Sequence, residues 1–118
     1  FYDGSWFGAV YNPQHDALLV FGLRGNLYRS IDFGATWEPV VDSDNSNTLA
    51  GGNASAAGDI VLAGGDGTVL RSTDGGQTFQ KTIMKDRLSL SSGIGRDGKL
   101  IVVGQGGIKT GSDGDNHE

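Results

Sequence analysis

Apolar residues occur along this chain in short runs, each closed by glycine: Leu18-Leu19-Val20-Phe21-Gly22, Ile60-Val61-Leu62-Ala63-Gly64 and Leu100-Ile101-Val102-Val103-Gly104. Between them lie alternating apolar and polar stretches bounded by Gly, Asp, Asn and Ser, the pattern of β-strands joined by tight turns. The runs predict strands over residues 5–11, 17–22, 26–30 and 36–41, again over 48–54, 59–63, 68–72 and 78–84, and finally over 88–94, 99–103 and 107–111. The best helical candidate, 82–90, contains Ile83, Met84, Leu88 and Leu90 but has no capping box and follows a strand directly. No helix is predicted there.

The pattern is a repeat. Residues 22–37 align without a gap on residues 64–79 at an offset of 42, and the third apolar run follows the second at an offset of 40. Four strands of about 5–6 residues with their turns need about 40 residues, the period of a four-stranded propeller blade. A two-sheet sandwich offers no reason to repeat a turn sequence at fixed spacing. The fold class predicted is therefore all-β: a β-propeller fragment of about three blades, near 1–42, 43–84 and 85–111, the last one incomplete, with a polar tail over 112–118.

Within the repeat, Ser30, Asp32, Gly34, Thr36 and Trp37 match Ser72, Asp74, Gly76, Thr78 and Phe79. This pattern resembles the Asp-box, or bacterial neuraminidase repeat. Its residue types suit a tight turn between the last two strands of a blade. The carboxylate accepts backbone N–H groups, glycine supplies a positive φ, threonine adds a hydroxyl, and the aromatic folds back under the hairpin. Burying that ring is worth about 4–6 kcal/mol before entropy is counted. The motif is thus explained by folding, and Asp32 and Asp74 are read as turn staples rather than catalytic acids or metal ligands.

If strands a to d run outward from the axis, these turns join c to d on one face of the disc. The opposite face carries the b-to-c turns at 23–26, 65–68 and 105–107 and the links between blades at 42–47 and 85–87. Loops on a rigid scaffold are where recognition concentrates. Arg24, Asp66, Asp86, Arg87 and Gln105 are accordingly the candidate binding residues.

Composition narrows the functions. Nine basic against 14 acidic residues give a net charge of −5, which disfavours a nucleic-acid partner. Without cysteine there is no disulfide, thiolate nucleophile or zinc knuckle. Gly93, Gly95 and Gly98 form a GxGxxG pattern, but a strand, not the required helix, follows it. Asp42, Asp44 and Ser46 start like a calcium loop that then fails at Asn47 and Asn53. Asn53-Ala54-Ser55 is a glycosylation sequon with a high chance frequency, and His15 and His117 have no second ligand nearby. No metal or cofactor is predicted.

The stretch 22–30, its counterpart 65–72 and the ending 102–109, Val-Val-Gly-Gln-Gly-Gly-Ile-Lys, are similar to the photosystem II stability and assembly factor family. That resemblance implies a noncatalytic scaffold, exported or on the lumenal side (periplasmic in bacteria), whose partner is a protein, a membrane-protein complex among the options. Of the family's arginine patch, Arg24 is the best-matched position, with Arg29 and Arg71 weaker. The alternative is a piece of a sialidase-like or other glycoside hydrolase propeller. Its arginine triad and Tyr–carboxylate pair find no match, since Glu38 lies on a peripheral strand and Glu118 in the tail. Three blades do not close a ring, so the missing ones are expected from a longer chain, with self-association as the other solution.

Overall fold

The computed structural model describes residues 4–40, 45–96 and 98–112. Eleven strands follow one another there with no α-helix among the described residues: β1 Trp6–Asn12, β2 Ala17–Gly22, β3 Leu27–Ser30, β4 Glu38–Pro39, β5 Leu49–Ala54, β6 Ile60–Gly64, β7 Thr68–Ser72, β8 Gln80–Ile83, β9 Leu90–Arg96, β10 Lys99–Gly104 and β11 Gly107–Ser112. They form three antiparallel meanders, ordered β1-β2-β3-β4, β5-β6-β7-β8 and β9-β10-β11. Each predicted strand is present. The fourth strand of the first two sheets is shorter than expected, because the aspartate turn holds Thr36 and Thr78 out of the ladder. Residues 82–90 form the end of β8 and a link to β9, as the absent cap implies. Gly93 and Gly95 lie in β9, which pairs antiparallel with β10, so the GxGxxG pattern is spent on a hairpin.

The register makes the repeat spatial. Leu19 in β2 and Val61 in β6 oppose Arg29 and Arg71, and both first strands shift register at the same place, between Trp6 and Gly8 and between Leu49 and Gly51. In the third sheet Gly104 pairs directly with Gly107, leaving a turn one residue shorter than in the other two. The turn there therefore ends at Gly106, with Gly107 already in the ladder at φ +92.

The sheets stack face to face. Val10, Leu19, Phe21 and Leu27 of the first meet Leu49, Ile60, Leu62, Leu70 and Phe79 of the second in one core cluster. Val61, Ala63 and Val69 on the second sheet's other face meet Leu90 and Val102 of the third, with Met84 at their border. The middle sheet is thus buried on both sides, so every residue of β6 is buried, whereas β2, an apolar run as well, is buried in part and half-buried at Leu18 and Val20. Buried Asn12 ties the first two sheets together: its Nδ2 donates to the Gly58 carbonyl at 3.0 Å while its Oδ1 accepts Gln14 N–H at 2.9 Å.

Candidate functional site

The two aspartate turns have the same construction. Thr36 Oγ1 donates to Asp32 Oδ2 at 2.6 Å and Thr36 N–H to Oδ1 at 2.8 Å; the corresponding distances from Thr78 to Asp74 are 2.6 and 3.0 Å. Ser30 and Ser72, whose role the sequence does not reveal, donate their hydroxyls to the same carboxylates at 2.7 Å and accept the Gly34 and Gly76 N–H groups at 2.8 and 3.0 Å. Gly34 and Gly76 take φ +95 and +88. Hydrogen bonds from Thr36, then from Ser30, hold the Asp32 carboxyl at about 2. Burial pushes Asp74 upward, but the bonds from Thr78, Ser72 and Gln77 outweigh it and hold it, too, at about 2. Both acids are ionised at neutral pH and accept hydrogen bonds from the serine and threonine of their own turns.

The two aromatics, expected to fold equally under their hairpins, differ: Phe79 is 7% exposed whereas Trp37 is half-buried. The hairpin does not bury the ring by itself; the neighbouring sheet does. Phe79 enters the core shared with Leu19 and Phe21, and no described sheet lies on the Trp37 side. The second turn also docks on the first sheet through its backbone: Arg29 Nε donates to the Gly75 carbonyl at 2.9 Å, and Gly75 and Gly76 pack over His15 and Leu19. Arg29 and His15 are therefore joints between sheets. Arg71 turns to Asp59 at 3.1 Å. Beside the Arg29 joint a cleft of about 320 Å³ opens between the outer edge of the first sheet and the second aspartate turn, lined by Arg29, Ile31, Glu38, Val40 and Gln77.

The opposite rim carries the five candidate binding residues. The turns after β2, β6 and β10 each donate an N–H to the residue leading into the first strand of the same sheet: Leu23 to Ser5 at 3.2 Å, Gly65 to Thr48 and Gln105 to Ser89 at 2.9 Å. These bonds put all three turns and the links between sheets at one end of the strands. Arg87 Nη1 meets Asp66 Oδ2 at 2.7 Å across that rim, and Asp86 pairs with Lys109 and accepts the Leu88 N–H at 3.0 Å. Lys109 escapes a reading of the sequence, because its partner lies in the preceding link. Gln105 is exposed at the tip of the shorter turn.

Arg24 stands apart. The turn at 23–26 has positive φ at both central residues, Arg24 at φ 59, ψ 26 and Gly25 at φ 77, and closes through Asn26 N–H to the Leu23 carbonyl at 3.1 Å. This is a type I′ turn, whose twist matches the flanking strands. The second sheet builds the same turn from Asp66-Gly67, the sequence such a turn prefers. Arginine in the left-handed region is unfavourable by about 1 kcal/mol relative to Asn or Gly. The chain nevertheless carries it, with the side chain exposed.

The aspartates among the described residues are all engaged within the fold. Six of the twelve lie among the described residues, and each has a partner: Asp16 accepts Tyr11 Oη–H at 2.7 Å, which raises the phenol, Asp59 pairs with Arg71, Asp66 with Arg87, Asp86 with Lys109, and Asp32 and Asp74 close their turns. Among the described residues no group of three or more His, Cys, Asp or Glu could hold a metal ion. The apparent calcium loop at 42–47 falls partly, and the polar tail almost wholly, outside the described residues.

No family model and no curated protein matches the chain. Among solved structures, one described as YCF48 bound to D1 peptide matches at a TM-score of 0.76 and 20% identity over 92% of this chain and 36% of its own. The three stacked meanders are a β-propeller fragment. Each sheet is a blade, and the chain spans just over a third of the YCF48 chain. The likeness is one of fold.

Proposed function

We propose that this propeller fragment belongs to a noncatalytic scaffold of the photosystem assembly factor type, which holds a segment of a protein partner, part of a membrane complex, on the rim that carries Arg24. The observation that carries the proposal is Arg24 itself. It occupies a turn position where its backbone is strained and its side chain is exposed, while the equivalent position in the next blade holds the turn-favouring Asp66. Local strain of this kind is retained where a side chain has a task beyond folding. A guanidinium there offers a forked donor to a carboxylate or a peptide carbonyl. Asp66, Asp86, Arg87 and Gln105 border it as a polar rim, and the two Asp-box turns serve the scaffold from the other face.

Two further lines support the reading: the resemblance of residues 22–30 and 102–109 to that family, and the likeness of fold to a protein whose structure contains a D1 peptide. An extracytoplasmic address belongs to the same proposal. The test titrates fluorescein-labelled D1 peptide with the 118-residue chain and with Arg24→Asn. Saturable binding is expected, weakened at least tenfold by the substitution while the fold gains about 0.5–1 kcal/mol from relief of the turn. Equal binding by both proteins would remove Arg24 from the site. Turnover of fluorogenic glycosides by the complete protein would favour the glycoside hydrolase alternative.

A further inference from the structure

The cleft beside the Arg29 joint carries chemistry that the next blade does not repeat. Its wall on the first blade is one side of the β3–β4 pair, where Arg29 directly opposes Glu38 and Ile31 and Val40 lie beside them. At the offset of 42 the second blade has Arg71, Thr73, Gln80 and Thr82 in these four places. The carboxylate has become an amide, and both branched apolar side chains have become threonines. Arg71 is moreover paired with Asp59, whose counterpart next to Arg29 is Ala17. A blade therefore folds without the arginine–glutamate pair and without Ile31, which is 62% exposed. Nor do the two charges satisfy each other. Arg29 Nε is held by the Gly75 carbonyl of the second blade at 2.9 Å, and no ion pair joins its guanidinium to Glu38. Among the described residues the two Nη groups and the Glu38 carboxylate have no hydrogen-bond partner. On the facing wall Gln77 commits its Nε2 to the Asp74 carbonyl at 3.3 Å and keeps Oε1 as an acceptor.

We infer that this cleft binds a small zwitterion with an apolar body, the chemistry of a free α-amino acid such as leucine. A guanidinium anchored through Nε keeps its Nη fork, which suits a carboxylate, and its partial burial between two blades strengthens the attraction. Opposed residues of an antiparallel pair have Cα atoms about 4.5–5.5 Å apart. A ligand whose opposite charges share one carbon can therefore reach both, its carboxylate on Arg29 and its ammonium on Glu38, with Gln77 Oε1 as a second acceptor. A purely anionic ligand would meet Glu38 and a purely cationic one Arg29, and like charges brought together disfavour each. Ile31, Pro39 and Val40 receive the apolar side chain. The volume of about 320 Å³ lies at the small end of ligand pockets, as a molecule of this size requires. Both walls belong to the first two blades, so the site is built wholly from described residues and does not depend on the rim that carries Arg24.

The test leaves the Arg29 joint intact and uses two substitutions at exposed positions, Glu38→Gln and Ile31→Thr, each of which installs the residue the second blade carries at the same place. Binding is followed by NMR titration, read at the methyl groups of Ile31 and Val40. L-leucine is expected to shift them saturably, with a Kd in the millimolar range. Leucinamide, which lacks the carboxylate, and isocaproate, which lacks the ammonium, should each bind at least tenfold more weakly. Glu38→Gln should weaken leucine at least tenfold while leaving isocaproate no weaker than before. Ile31→Thr should weaken both by about threefold or more through lost apolar contact. With the protein folded by circular dichroism, an absence of saturable shifts with leucine would overturn the inference. So would leucinamide or isocaproate binding as tightly as leucine, since either result removes one of the two charge contacts. A Glu38→Gln protein that binds leucine unchanged, or that loses leucine and isocaproate alike, would overturn it too, because the ammonium contact alone separates those two ligands.

Discussion

Gly34 and Gly76 occupy the same place in the two aspartate turns, and the structure implies very different consequences when each becomes alanine. Both have positive φ, +95 and +88, so both substitutions carry a similar backbone strain of about 1–2 kcal/mol. The surroundings differ. A Cβ on Gly34 meets only the Trp37 ring, at 3.6 Å, an ordinary contact. A Cβ on Gly76 lies 2.7 Å from Leu19 Cδ1 and 3.1 Å from Cδ2, about 1 Å inside the usual carbon–carbon separation. Leu19 is fully buried between two blades and has no free space to retreat into. Overpacking of this kind adds about 1–3 kcal/mol, so Gly76→Ala should lose that much more stability than Gly34→Ala. Urea unfolding at low protein concentration, with a common slope, measures the difference. The Leu19→Ala background supplies the control: with the obstructing methyls gone, the extra loss at Gly76 should disappear. Equal losses for the two glycines, or an extra loss that persists in the Leu19→Ala background, would refute the docking of the second turn on the first blade.

Phe79→Ala should destabilise by about 3–5 kcal/mol as a cavity between blades, and Trp37→Ala by less than half of that in dilute solution, both read from denaturation midpoints. Asn12→Ala should cost about 1–3 kcal/mol by stranding the buried Gly58 carbonyl, with the loss appearing as faster amide exchange where the first two blades meet. Asp32 and Asp74 titrate near 2 in the folded chain and near 3.8 when unfolded, so the unfolded state binds more protons between those values. Their stabilisation is complete above about pH 4 and is lost as pH falls through about 2; Asp74→Asn should flatten that part of an acid-unfolding profile, and an unchanged profile would contradict the assignment.

Much of this architecture is legible without coordinates. The offset of 42 between residues 22–37 and 64–79 announces the blade, and Asp66-Gly67 announces a tight hairpin, because turn chemistry depends on residues a few positions apart. The alternation of β9 and the lack of a cap near residue 82 exclude helices for the same local reason. The candidate binding residues are legible only as members of one rim. That Arg87 is engaged by Asp66, that Asp86 holds Lys109 and that Arg24 is strained are facts of φ and of distance between turns about 20 or more residues apart, which no local pattern encodes.

The same division separates Trp37 from Phe79. Composition and spacing determined that each follows a Ser–Asp–Gly–Thr turn, since hydrogen bonds within eight residues build it. Only the tertiary structure decided that one ring is sealed and the other half open. Burial requires a neighbouring surface, and the surface that covers Phe79 belongs to a different sheet, while Trp37 faces the side on which no described blade follows.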